Sequence, residues 1–241
     1  MMIKLTKTNI IIFTSFLIIL GTTVMIYSLN NASNTIIDNK KTMLLNEAKA
    51  HFNNMVMLRL WNSSHGGIYL KKHEGLEPNP YLPDNTMTSD KGETLVRVNP
   101  AWMTRQISEI TNERSNYYFK ITSLNPINPH NSPDSFETEG LKYFENNKSE
   151  DFYYKFSKDF TKFDFIGKLT VESECMQCHG EQNYKVGDVR GGIRVSMPIE
   201  NVTSSIKLIK DEMIYFSVTI IIFALFIWVL LIFLIGKIFK Q

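Results

Sequence analysis

FDFIGKLTVESECMQCHGEQNYKVGDVRGGIRVSMPI, residues 163–199, holds two runs of β-branched and aromatic residues on either side of a cysteine pair. Phe163 to Glu172 and Gly192 to Ile199 alternate near period two, which predicts a strand on each side. Two more runs of the same kind precede them, Tyr118 to Leu124 and Phe152 to Phe160. Four such strands with helical segments elsewhere predict an α+β fold, an antiparallel sheet with flanking helices on one side.

The helices are read from spacing and caps. Ile36, Ile37, Met43, Leu44, Ala48, Phe52, Met55, Val56 and Leu60 recur mostly at three-to-four intervals, predicting one buried stripe that ends at His65-Gly66-Gly67. Pro78, Pro80 and Pro83 with Asn79 and Asn85 predict a loop after it. Asn99 can cap a second helix with Pro100 at its first position and Met103, Ile107 and Ile110 on one face. Asn125 to Asp134 holds Pro126, Pro129 and Pro133 and is expected to be irregular, with a third helix from near Pro133 to Asn146. Val202, Ile206, Ile209 and Met213 predict a last helical stripe.

Two apolar runs frame all of this. Ile10 to Leu29 and Ile214 to Ile235 carry no charged side chain, and each is long enough to cross a hydrocarbon layer about 30 Å thick as a helix. The first is longer than the apolar region of a signal peptide, roughly 7 to 15 residues, and is read as an uncleaved anchor; a cleaved leader or a buried core helix are the competing assignments. The chain thus divides into a terminus (1–9), a span (10–29), a domain (30–213), a second span (214–235) and a short end (236–241). Lys4, Lys7, Lys237 and Lys240 suit cytoplasmic ends, but Lys40, Lys41, Lys207 and Lys210 lie close to the spans on the other side, so charge alone does not orient the chain. With a formal charge of +2 and no basic block, nucleic acid is not an expected partner.

The chain has two cysteines, and both sit in Cys175-Met176-Gln177-Cys178-His179. Cys-x-x-Cys-His is the attachment pattern of c-type haem: two thiols add to the vinyl groups and the next residue's imidazole ligates the iron. A closed zinc site needs four ligands, and no second cysteine pair is present. A redox dithiol is the other alternative, although such pairs favour a helix start in a βαβ setting. Covalent haem is attached outside the cytoplasm, so the motif orients residues 30–213 to the periplasm of a bacterial inner membrane, with both termini inside.

Several blocks resemble a known family, a haem c-binding, PAS-like sensor domain long catalogued as a domain of unknown function and often found ahead of histidine kinases or cyclases. They are Arg59-Leu60-Trp61-Asn62 with His65-Gly66-Gly67-Ile68-Tyr69, Asn99-Pro100-Ala101-Trp102-Met103-Thr104-Arg105-Gln106, Phe119 to Leu124, Asn128-Pro129 with Asn131 to Asp134, the haem motif with Gly180, and Tyr184 to Gly192. The resemblance implies a PAS-like fold holding one haem and a sensory or redox role. Some members use a cysteine of the first helix as the distal iron ligand, and no cysteine is spare here. Members usually carry an output domain after the second span. Six residues, Gly236 to Gln241, follow it here, so the expectation is output through a separate signalling or redox protein in the membrane, or simple electron carriage by a monohaem cytochrome.

Candidate distal ligands are His51, on the first helix beside the apolar stripe, and His65, in the His-Gly-Gly block; a packing histidine and a helix-end residue are the ordinary roles of the same positions. Met55 and Met57 are further donors that more often serve as core. His73 and His130 are expected in solvent. Arg59, Arg105 and Arg190 are candidates for the haem propionates, because a guanidinium binds a carboxylate through two parallel hydrogen bonds. Trp61, Trp102, Tyr69 and Phe119 are expected to wall the pocket. No nucleophile and base pair stands out, so an enzyme is not expected. A homodimer through the first long helix is a further expectation.

Overall fold

The computed structural model describes residues 6–176 and 182–239; Gln177, Cys178, His179, Gly180 and Glu181 lie outside them. The elements in chain order are α1 (Lys7–Ser64), β1 (Ile68–Lys71), β2 (Thr86–Thr88), β3 (Thr94–Val98), α2 (Pro100–Arg114), β4 (Tyr118–Thr122), α3 (Ser135–Asn146), β5 (Phe152–Phe156), β6 (Lys162–Thr170), β7 (Val189–Pro198) and α4 (Glu200–Ile238). They fall into two units, one of residues up to Thr42 together with Asn201 onward, the other Met43–Glu200.

In the first unit, α1 and α4 each contain a segment long and apolar enough to cross a membrane. Their hydroxyls are satisfied locally. Thr14, Thr22 and Thr23 donate to the carbonyls of Ile10, Ile18 and Ile19, one turn back. Trp228 Nε1 donates to Ser15 Oγ at 2.7 Å, tying the two helices together.

The Met43–Glu200 unit is α+β, with two antiparallel sheets and flanking helices, as the strand and helix patterns predict. Its larger sheet has the order β4-β7-β6-β5. Phe163, Phe165, Ile193, Val195 and Met197 lie along paired positions of β6 and β7 and are buried. Successive strand residues face opposite ways, and each face is covered by a different helix. Ile166 packs with Leu141 and Phe144 of α3 on one face, while Phe165 meets the ring of Phe52 on α1 at 5.9 Å on the other. Helices therefore flank both faces rather than one. β5 stops at Phe156, short of the expected Phe160, because Phe160 has φ +54 and turns the chain into β6.

Asn99 caps α2 by accepting from Trp102 N at 2.9 Å, with Pro100 at the first position, as its sequence predicts. α3 starts at Ser135, where Asp134 accepts from Glu137 N and Glu137 Oε2 accepts from Asp134 N, a reciprocal capping box. Two stretches differ from the sequence reading. The proline-rich region after α1 carries a small sheet of order β1-β3-β2, whose outer strands are only four and three residues long. Strands that short leave too few alternations for a period-two signal. Within 125–134, Pro129–Asn131 form a single 3₁₀ turn capped by Asn128, which accepts from His130 N at 3.0 Å.

Candidate functional site

A cavity of about 840 Å³ opens inside the Met43–Glu200 unit, within the range usual for a cofactor site, about 300–1,000 Å³. The C-terminal turns of α1 supply Leu60 and Met57, β3 supplies Arg97, α2 supplies Trp102 and Arg105, and the stretch after β6 supplies Cys175. Local chemistry sets these positions. Asn62 is fully buried and its Nδ2 donates to Val98 O at 3.1 Å, fastening the end of α1 to β3. Gly66 and Gly67 then leave the helix with φ of +73 and +103, a conformation glycine adopts without a side-chain clash.

Cys175 ends a 3₁₀ turn, Ser173–Cys175; its Sγ accepts from Glu172 N at 3.4 Å. Cys178 and His179 lie outside the described residues. Arg59 and Arg190 converge on the same end of the cavity. Arg59 Nη1 donates to Pro100 O at 3.2 Å and Thr104 Oγ1 at 3.1 Å. Burial brings its pKa down to about 10, opposed by the nearby Cys175 and assisted by repulsion from Arg190. The guanidinium still carries its charge at neutral pH. Arg190 Nη1 donates to Ser123 Oγ at 2.6 Å and Asn125 O at 3.3 Å, and Nη2 to Gln182 Oε1 at 3.2 Å. Burial lowers its pKa too, against the pull of Tyr184 and Cys175.

Arg105 also lines the cavity and pairs with Glu109 one turn on, at 3.6 Å. A fourth arginine, Arg97, was not singled out by the sequence. Its one local signal is the alternation Val96-Arg97-Val98, with both valines buried. Among the described lining residues these four cations face a single carboxylate, Glu172. The remaining wall is largely apolar, with Leu82, Ile121, Ile127 and Leu169. A cavity of this kind favours a flat apolar body with anionic groups at its rim.

The structure keeps the two candidate histidines away from this cavity. His51 packs against Tyr117 with the rings tilted and 4.5 Å apart, and meets Phe119 edge-on at 5.7 Å. His65 is exposed, with Nδ1 2.8 Å from Trp61 O and its ring 4.9 Å from that of Trp61. Neither lines the cavity, nor do Trp61, Tyr69 and Phe119. Met57 does line it, whereas Met55 is core. His73 and His130 are exposed, as expected.

Comparison with known proteins adds a family. The model of the Tll0287-like family matches residues 30–198. No curated protein matches the chain. A solved structure, the crystal structure of the cyanobacterial heme-protein Tll0287, is similar at 17% identity with a TM-score of 0.44, the match covering 65% of this chain and 95% of that one.

Proposed function

This chain belongs to the Tll0287-like family, and from that premise we propose that the cavity seats one covalent c-type haem in a membrane-anchored protein that reports redox state or a gas ligand to a partner. The observation that carries this reading is the opening of Cys175 into an 840 Å³ cavity that four arginines share with one carboxylate. The donor set suits the group. Cys175 and Cys178 have the spacing for two vinyl groups, His179 follows as iron ligand, apolar walls suit the macrocycle, and arginines suit two propionates. When bound, a c-type haem supplies a one-electron couple and, where a distal side chain is weak or lacking, a position for an exogenous ligand.

The chain's own residues do the rest. Arg59 and Arg190 place positive charge beside Cys175, at the end of the cavity where the thiol enters. Ile121 and Leu169 give the interior wall an apolar surface. Attachment outside the cytoplasm would put residues 30–213 in the periplasm and both ends inside. The helices that bound this domain, α1 and α4, run on into the apolar segments, a route by which a change of coordination would reach a separate signalling or redox protein. The reading is non-enzymatic.

The test is expression of the full chain with a cytochrome c maturation system. Haem is expected to stay with the polypeptide on a denaturing gel and to be lost from it in Cys175→Ser/Cys178→Ser. The reduced spectrum is expected to change on adding CO. Absence of covalent haem overturns the assignment; a CO-inert haem that exchanges electrons rapidly with a quinol or cytochrome overturns sensing and leaves electron carriage.

A further inference from the structure

The four cavity arginines are not equivalent. Arg59 spends Nη1 on Pro100 O and Thr104 Oγ1, Arg105 pairs with Glu109, and Arg190 reaches Ser123, Asn125 and Gln182. Arg97 differs from all three. Nη2 donates to Gly66 O at 3.0 Å, but Nε is buried and has no hydrogen-bond partner among the described residues. A buried N–H of a charged group without an acceptor is costly and rare, and on a side chain that lines a cavity it points to an anionic acceptor supplied by what the cavity holds.

The His65-Gly66-Gly67 block builds this arrangement. Gly66 supplies the carbonyl that holds Nη2. Gly67 has φ +103, and a Cβ there would stand 3.3 Å from Arg97 Nε and 3.6 Å from its Cγ. Any side chain at 67 would thus be strained and would press on the guanidinium from the side that carries the unused donor. The missing side chain at Gly67 leaves room beside Nε, a role different from ending the helix.

We propose that Arg97, carried by β3 and held by the Gly66-Gly67 turn, binds one haem propionate through Nε. The proposal rests on the haem reading above. Its chemistry is a guanidinium donating to a carboxylate; the carboxylate stays ionised because Arg97 stabilises the charged form. The other titratable and charged groups facing the same cavity are Arg59 on α1, Tyr81 in the loop before β2, Arg105 on α2, Glu172 and Cys175 after β6, and Arg190 on β7.

The experiment is a titration of the haem midpoint potential against pH in full-length holoprotein, with covalent haem verified on the same samples. A propionate that titrates makes the potential pH-dependent across a window set by its proton affinity. Losing a neighbouring guanidinium raises a carboxylate's pKa by about 1–3 units, so in Arg97→Gln the window is expected to move up by that amount. Arg97→Lys keeps the charge but loses the planar donor edge, so a smaller upward move is expected. Gly67→Ala is expected to reproduce the upward move with Arg97 still present. Gly75→Ala is the control for strain, since Gly75 also has positive φ (+85) but no atom within 4 Å of its would-be Cβ; its window is expected to stay put.

A window unmoved in Arg97→Gln and Gly67→Ala, with haem attached, overturns the inference and leaves the haem reading standing. If the glutamine variant does not accumulate, Arg97→Lys decides by the same criterion. A potential that responds to added phosphate while the pH window stays fixed assigns the donor to a free anion and likewise overturns it. Wild-type protein without covalent haem overturns both readings.

Discussion

Arg194 is 7% exposed in the middle of β7, yet it holds three carboxylates together. Nη2 donates to Asp164 at 2.9 Å, and Nη1 reaches Asp134 and, at 3.4 Å, the fully buried Glu137, which also accepts from Lys120 at 2.8 Å. The desolvation of such groups offsets most of their attraction, so the network is poor evidence of net stability. Removing the arginine is a different matter, because Glu137 and Asp164 then stay largely buried with less counter-charge. Arg194→Ala is expected to destabilise the domain by about 3–5 kcal/mol, read from urea unfolding followed by tryptophan fluorescence; a loss under about 1 kcal/mol would show that water reaches Glu137 and Asp164 in the folded state. The sequence shows Arg194 only as a charged residue inside a strand pattern. Its partners lie 30 to 60 residues away, so no local rule could have named them.

At the scale of elements, what was readable was what is decided locally. The Asn99-Pro100 start of α2 and the run of α1 into the domain follow from caps and spacing, because both arise from contacts within one helix. The β1-β3-β2 sheet was missed because its outer strands are too short to show a pattern of their own, and β1 is held by pairing across 24 to 30 residues, from Lys71↔Leu95 to Ile68↔Val98. The packing of α1 on the larger sheet is likewise tertiary. Gly167, paired with Phe152 and Ile193, has no Cβ because the ring of Phe52 on α1 occupies that space. Gly167→Ala is therefore expected to cost about 1–3 kcal/mol through overpacking, seen as a lowered Tm, with Phe52→Leu recovering part of the loss. Equal Tm values for Gly167→Ala and wild type would mean that α1 moves aside without penalty.

Across the whole molecule, the contacts separate residues 43–200 from the two apolar helical segments. Exposed Ile, Leu and Phe side chains crowd those segments, whereas the 43–200 unit buries Phe144, Phe163, Phe165 and Ile193 in its own interior. A fragment of residues 43–200 exported alongside a cytochrome c maturation system is expected to remain in solution without detergent and to carry covalent haem on a denaturing gel. Aggregation of that fragment, with the full chain folding normally in detergent, would show that the domain needs the apolar helices to fold.

The sequence by itself determined the two apolar segments, the helix caps and the spacing Cys175, Cys178, His179, because each depends on residues a few positions apart. Only the tertiary structure decided which side chains meet in the cavity. It brought Arg59, Arg105 and Arg190 to the same space as Cys175, added Arg97, and turned His51 onto Tyr117 and His65 onto Trp61. The physical reason is that convergence on a site is set by strand pairing and helix packing between distant segments. A residue's type and its immediate neighbours restrict what it can do once there, but they carry no information about which distant residues it will face.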